Sequence, residues 1–244
     1  MYQLIGAAAL GAMAVVAVQR FLSSRKVSGK IRMGYWGIRG LGAPMRMMLE
    51  YSGADYEDTL YTDPNAWFGG KKPELLKKNA LANLPYLEMP DGSVVSESNA
   101  CYMRLDEALG LSPTTEGAKI KATELLSLCM CTRNDLTNRC YSFNGMCADR
   151  AAFDTSFKKL LASKPFAKYE ATLKAAGTAY FCGDTPCACD FHVCPPSPTR
   201  GHCLHAKPAC EKLLKRMRTL HSRSDRAHPR TDLGNAGPIH EGRR

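Results

Sequence analysis

Acidic residues are missing from positions 1–49, which carry seven lysines and arginines. Positions 194–244 hold eleven basic against four acidic residues, and the stretch between holds fifteen against nineteen. The net charge of +10 therefore sits at the two ends, and the central body is slightly acidic. That distribution excludes the continuous basic groove of a nucleic-acid-binding protein. Internal repeats and low-complexity tracts are also missing. Cysteine is not scarce, but eleven is an odd number and 244 residues is a long chain. Both facts argue against a small secreted domain held by disulfides. The length accommodates one large domain or two small ones with a real core.

No charged side chain precedes Arg20, and residues 4–18, LIGAAALGAMAVVAV, contain nothing more polar than glycine. As a helix this run spans ~22 Å, short of a ~30 Å hydrocarbon core. Extending it over residues 2–22 reaches that thickness and brings in Gln3, Gln19 and Arg20. The basic n-region of a cleaved secretory signal is lacking. Basic residues at 20, 25, 26, 30 and 32 follow at once. The expectation is a membrane anchor through residues 4–22 that leaves the main body on the cytosolic face. A mitochondrial presequence, or a helix merely appended to a soluble body, are the alternatives.

The most patterned stretch is residues 33–61. Ile31–Trp36 reads as a strand, followed by a loop with Gly37, Gly40 and Gly42. A helix follows, with Pro44 in its first turn and Met45, Met48 and Leu49 at helical spacing. Gly53 closes it, and Tyr56–Tyr61 reads as a second strand. Strand–helix–strand predicts a parallel pair, with Tyr35 near the carboxyl edge where open sheets bind ligands. A helical piece at residues 73–79 and a third strand after Pro85 follow. Asp91–Gly92 predicts a hairpin turn between 87–89 and 94–96. Ser98 is expected to open and cap a helix over 99–109. GLSPTT at 110–115 reads as a linker, and residues 116–141 and 150–176 as long helices.

GYWGIRGLGAPMRMMLEYSGADYEDTLYT at residues 34–62 resembles the opening of a cytosolic-type glutathione S-transferase, closest to the mu pattern. NLPYL at 83–87 and ESNA at 97–100 resemble that family's next two landmarks, in order. The resemblance is firm over residues 31–111 and looser to 193. It implies an α/β thioredoxin-like domain at 30–111 and an all-α domain at 116–193, flanked by a hydrophobic segment at 1–29 and a basic tail at 194–244.

The implied activity is conjugation of reduced glutathione, as co-substrate, to a hydrophobic electrophile, in a homodimer, without a metal. Tyr35 is implied as the catalytic residue, its phenol donating to the thiolate. Leu84 is implied to offer its N–H and C=O beside a cis Pro85, with Asn83 and Trp36 adjoining. Ser98 and Glu97 are implied at the γ-glutamyl end, and Trp67 and Lys71 at the glycyl end. Asp135 is implied to reach the γ-glutamyl amine of the neighbouring subunit, and Tyr141 to assist at the electrophile. A transferase of this type works beside the cytosolic thiol pool, so the cysteines are expected reduced. A non-catalytic glutathione-fold protein, or a glutathione-dependent isomerase or peroxidase, are the competing readings.

The resemblance breaks down toward the C-terminus. Residues 181–193, FCGDTPCACDFHV, resemble the opening of the family's central buried helix, with Cys187 where Ser or Thr normally caps it. CPPSPTRGHC then follows, and its prolines stop a helix. The remainder is basic and reads as disordered. The apolar side chains of the central helix after Val193 are thereby lost, which predicts a marginally stable chain. Nine cysteines and histidines fall within residues 182–210. Zinc takes four such ligands, but the C-x-C and H-C-x-H spacings match no established pattern, so no metal is expected.

Overall fold

The computed structural model describes residues 28–140, 149–161 and 164–193. The chain builds β1 (Ile31–Trp36), α1 (Gly42–Ser52), β2 (Tyr56–Tyr61), a π-helical turn (Ala66–Lys71) and α2 (Lys72–Leu76). The hairpin β3 (Tyr86–Glu88) and β4 (Val94–Ser96) and the helix α3 (Ser98–Ala108) complete the first domain. The helical part that follows contains α4 (Glu116–Cys140), α5 (Arg150–Leu161), α6 (Lys164–Ala176) and α7 (Ala188–Val193).

The sheet order is β2-β1-β3-β4. β1 and β2 are parallel, with Ile31 opposite Tyr56 and Trp36 opposite Tyr61, and β3 is antiparallel to both β1 and β4. This is a thioredoxin-like sheet in which one βαβ unit meets one hairpin. Strand β1 is central and carries Ile31, Met33 and Tyr35 toward the helices, all buried. Gly34 faces the other way, and a Cβ there would lie 2.2 Å from a ring carbon of Tyr86. That position admits only glycine while Tyr86 holds its place, packed on Trp67 and Tyr61.

Met45, Met47, Met48 and Leu49 of α1 pack with Cys101, Tyr102 and Leu105 of α3 in one core. The same core continues into Leu125, Leu126 and Cys129 of α4, Tyr169 and Leu173 of α6, and Phe191 and Val193 of α7. All six residues of α7 are buried, and it packs against α1, α3 and α4. Its first turn is fixed by Asp190, whose carboxylate accepts the backbone N–H groups of Cys187 and Phe181 at 3.0 Å each. Cys187 therefore occupies the expected cap position, Asp190 at the third helical residue reaches back to its N–H, and Asp106 accepts the N–H of Ala188 at 2.8 Å.

Several expectations are corrected. The stretch around Trp67, for which no element is expected, forms a π-helical turn that buries the indole. The helix expected over 150–176 is two helices, with Pro165 in the first turn of α6, where its missing N–H is harmless. Ser98 is the first residue of α3 rather than its cap. Glu97 holds the cap position at φ 69°, and no side chain bonds there.

The membrane-anchored, cytosol-facing placement and its mitochondrial alternative are withdrawn. Among the described residues no helix is long and apolar enough to cross a membrane. The segment expected to span it, residues 4–22, lies outside the described residues, as do the tail at 194–244 and Tyr141.

Candidate functional site

The carboxyl end of β1, the start of β3 and the end of β4 meet at one edge of the sheet. The registers pair Gly34 with Tyr86 and Tyr86 with Ser96. Two residues further along in each strand direction come Trp36, Leu84 and Ser98, so these three sequence-derived candidates fall at this edge.

Tyr35 is buried, with its ring in the main core. Its hydroxyl points at the glycine loop: a Cβ at Gly40, where φ is +34°, would lie 2.7 Å from Tyr35 Oη. A side chain at position 40 would therefore crowd the phenol, and glycine leaves room beside it. Two groups hold this loop. Tyr102 donates its hydroxyl to the Leu41 carbonyl at 2.7 Å. Arg46 donates Nη1 to the Ile38 carbonyl at 3.1 Å and Nε to Asp58 at 2.6 Å. Sequence reasoning missed both residues. A lone cation among the methionines of α1, with an aspartate on the adjoining strand, was the available signal for Arg46.

Asn83, Leu84 and Pro85 form the second wall. The Leu84–Pro85 bond is cis. Asn83 donates its N–H to Ser96 Oγ at 3.2 Å, which ties this turn to β4. Among the described residues, no hydrogen bond within the chain uses the N–H or C=O of half-buried Leu84, or the hydroxyl of Ser98. Glu97 is exposed beside them. Asn99, on the same first turn of α3, has a buried Oδ1 without a partner among the described residues, and it too was missed.

Trp67 and Lys71 are placed differently from the free contacts expected of them. Trp67 is 1% exposed, stacked on Tyr86 at 5.8 Å and edge-on to Tyr61 at 5.4 Å. Lys71 bridges Glu74 at 2.9 Å and Glu88 at 3.1 Å. Desolvation pulls its ammonium pKa down, but those two carboxylates outweigh it and raise the value. Asp135 lies half-buried on α4, in the helical layer rather than on the sheet edge.

Behind the edge, His192 of α7 meets the ring of Tyr102 edge-on at 5.3 Å. Its Nε2 is buried without a partner among the described residues, and burial pushes the imidazole down to about 4. The folded state then holds it neutral while the unfolded chain takes up a proton below the ordinary 6.5. Its contribution is complete above pH 6.5 and is lost as pH falls toward 4. Asp106 and Asp190 have the opposite sign: burial raises both to about 7, so their contribution declines as pH rises from 3.8 to 7. His192→Leu removes only the first effect. Urea unfolding should show the variant gaining on the parent chain between pH 7 and pH 5, on the order of 2 kcal/mol at ~1.4 kcal/mol per unit. An unchanged difference at the two pH values contradicts a buried neutral imidazole.

With this geometry in view, the comparisons with known proteins identify the class. Residues 31–103 match the model "Glutathione S-transferase, N-terminal domain". Glutathione S-transferase Mu 1 of Oryctolagus cuniculus is 38% identical over 115 residues, covering 45% of this chain and 52% of that protein. The chain spans about half the length of the curated relatives it matches. A monomeric glutathione S-transferase from the hookworm Necator americanus superposes with a TM-score of 0.65 at 16% identity, covering 84% of this chain and 100% of that one. The glutathione S-transferase of Ascaris lumbricoides gives 0.62 at 20%, covering 84% and 99%. Residues 31–103 thus match a glutathione S-transferase N-terminal domain and are similar in sequence to mu relatives, and the described chain shares the thioredoxin-like fold of solved glutathione S-transferases.

Proposed function

We propose that this chain is a glutathione transferase that joins the thiolate of reduced glutathione to a hydrophobic electrophile. The observation that carries this reading is the set of unused polar groups at the sheet edge. The Tyr35 hydroxyl lies against Gly40, where a side chain would collide with it, and the same edge carries a Leu84 backbone and a Ser98 hydroxyl that have no partner among the described residues. Leu84 would pair with the extended tripeptide as with another strand. Ser98 and the free N–H groups at the start of α3 suit its γ-glutamyl carboxylate, with Glu97 near its ammonium.

Tyr35 is assigned to donate its O–H to the sulfur, which favours the thiolate over the thiol. The sulfur then bonds to the electrophilic carbon, the leaving group departs with its electron pair, and the thiol proton passes to solvent. Trp36 and Asn83 border the cysteinyl portion. Trp67 and Lys71 are assigned to the glycyl end, where Lys71 would exchange Glu74 or Glu88 for the ligand. A homodimer, with Asp135 reaching the neighbour's ligand, and Tyr141 at the electrophile complete the proposal.

Calorimetric titration of the full chain with reduced glutathione tests it. Saturable binding is expected, weakened roughly tenfold to a hundredfold in Ser98→Ala, as a hydrogen bond to a charged group contributes ~1.5–3 kcal/mol. An absence of binding by the folded chain overturns the reading.

A further inference from the structure

Three thiols far from the sheet edge in sequence converge at the base of α7. Cys182 lies in a tight return closed by the bridge between Tyr180 and Gly183, with Gly183 at φ 143°. Cys187 immediately precedes α7, and Cys189 is its second residue. All three sulfurs lie within 4.8 Å of one another, and those of Cys187 and Cys189 are 3.5 Å apart. Cys187 and Cys189 are buried and Cys182 is half-buried, so the cluster is closed on the protein side and reachable past Cys182. None of the three is in a disulfide. The glutathione reading uses none of them, and the inference does not depend on it.

We propose that Cys182, Cys187 and Cys189 form a site for one thiophilic d10 metal ion, of the zinc or copper(I) class. A metal–sulfur bond of ~2.3 Å sets sulfurs ~3.8–4.0 Å apart around a shared ion, tetrahedral or trigonal. The observed sulfurs bracket that separation, from 3.5 Å to no more than 4.8 Å, so small side-chain shifts close the site. Sulfur ligands select this class over magnesium or calcium. On loading, three metal–sulfur bonds form and three thiol protons pass to solvent. Copper(I) is satisfied by three sulfurs. Zinc keeps a fourth position for water on the Cys182 side.

The site has a structural use. Helix α7 is six residues long and has a thiol at its cap position, yet it joins α1, α3 and α4. An ion would pin the return at Cys182 to the first turn of α7 and so fix this junction.

The experiment uses the reduced full chain carrying Cys194→Ser, Cys203→Ser and Cys210→Ser, which removes the tail thiols as competing ligands. Cobalt(II), as the probe for zinc, and copper(I) are titrated separately, with zinc competition for the first. One ion per chain is expected, with a sulfur-to-cobalt charge-transfer band in the cobalt arm and a raised Tm. Whichever ion binds more tightly assigns the class. Cys182→Ser, at a half-exposed position, is expected to weaken binding by at least ~100-fold, more than outer-shell changes typically do. Cys131→Ser, an exposed cysteine outside the cluster, should change nothing. Three results overturn the proposal: neither ion binding in one-to-one ratio, unchanged affinity in Cys182→Ser, or equal loss in Cys131→Ser.

Discussion

Asp190→Ala should remove ~2–6 kcal/mol of unfolding free energy. The side chain is completely buried, and its carboxylate accepts two backbone N–H groups, from Phe181 and Cys187. Alanine leaves both donors buried and unsatisfied, at ~1–3 kcal/mol each. Domain stabilities lie at ~5–15 kcal/mol, so the loss is a large share of the total. Because α7 packs on α1 and α3 as well as on α4, loosening it is felt beside the sheet as well as among the later helices. Asp190→Asn keeps one acceptor and turns the other position into a donor facing an N–H, so an intermediate loss is expected. Urea unfolding of the three chains checks the series. A change below ~1 kcal/mol in the alanine variant would show that water satisfies those donors and that α7 is not held from within.

Tyr35→Phe is expected to lower the conjugation rate at pH 6.5 by tenfold to a hundredfold while leaving glutathione affinity nearly intact. A free thiol has a pKa of ~8.5, so little thiolate exists at that pH. Depressing it by ~2 units requires ~2.7 kcal/mol of differential stabilisation, within reach of one charge-assisted hydrogen bond in a dry site. The phenylalanine fills the same core volume as the tyrosine ring, which packs with Met33 and Met45. Stability should therefore change little, and the kinetic loss is attributable to the hydroxyl. The variant's rate should recover as pH approaches the free thiol value. A pH–rate profile identical to that of the parent chain removes Tyr35 from the mechanism.

The first domain was legible in the sequence because local signals agreed with the tertiary outcome. Gly53, found at φ 65° as the C-cap of α1, ended the helix in sequence as in structure. Tyr56–Tyr61 was read with the bounds it has, and Asp91–Gly92 turned the hairpin. The site's backbone elements were accessible only through resemblance, since an unpartnered Leu84 amide leaves no mark on composition. Features that depend on distant contacts were not legible. Trp67 is buried because Tyr61 and Tyr86 come from other strands to meet it, and nothing in AWFGGK announces that. The cap position at Glu97 requires a left-handed residue that sequence preference would not place there. The thiol cluster escaped a search by spacing because Cys182 reaches Cys187 and Cys189 through the return at Gly183, not along one helix.

The most direct measurement is the titration of glutathione's own thiol on the protein. Ultraviolet difference absorbance of the thiolate is followed against pH, with glutathione bound to the full chain and to Tyr35→Phe. The account predicts a bound thiol that ionises below pH ~7 in the parent chain and returns toward ~8.5 in the variant. A bound thiol titrating at its free value in both chains would contradict it, because the sheet edge would then hold the tripeptide without activating its sulfur.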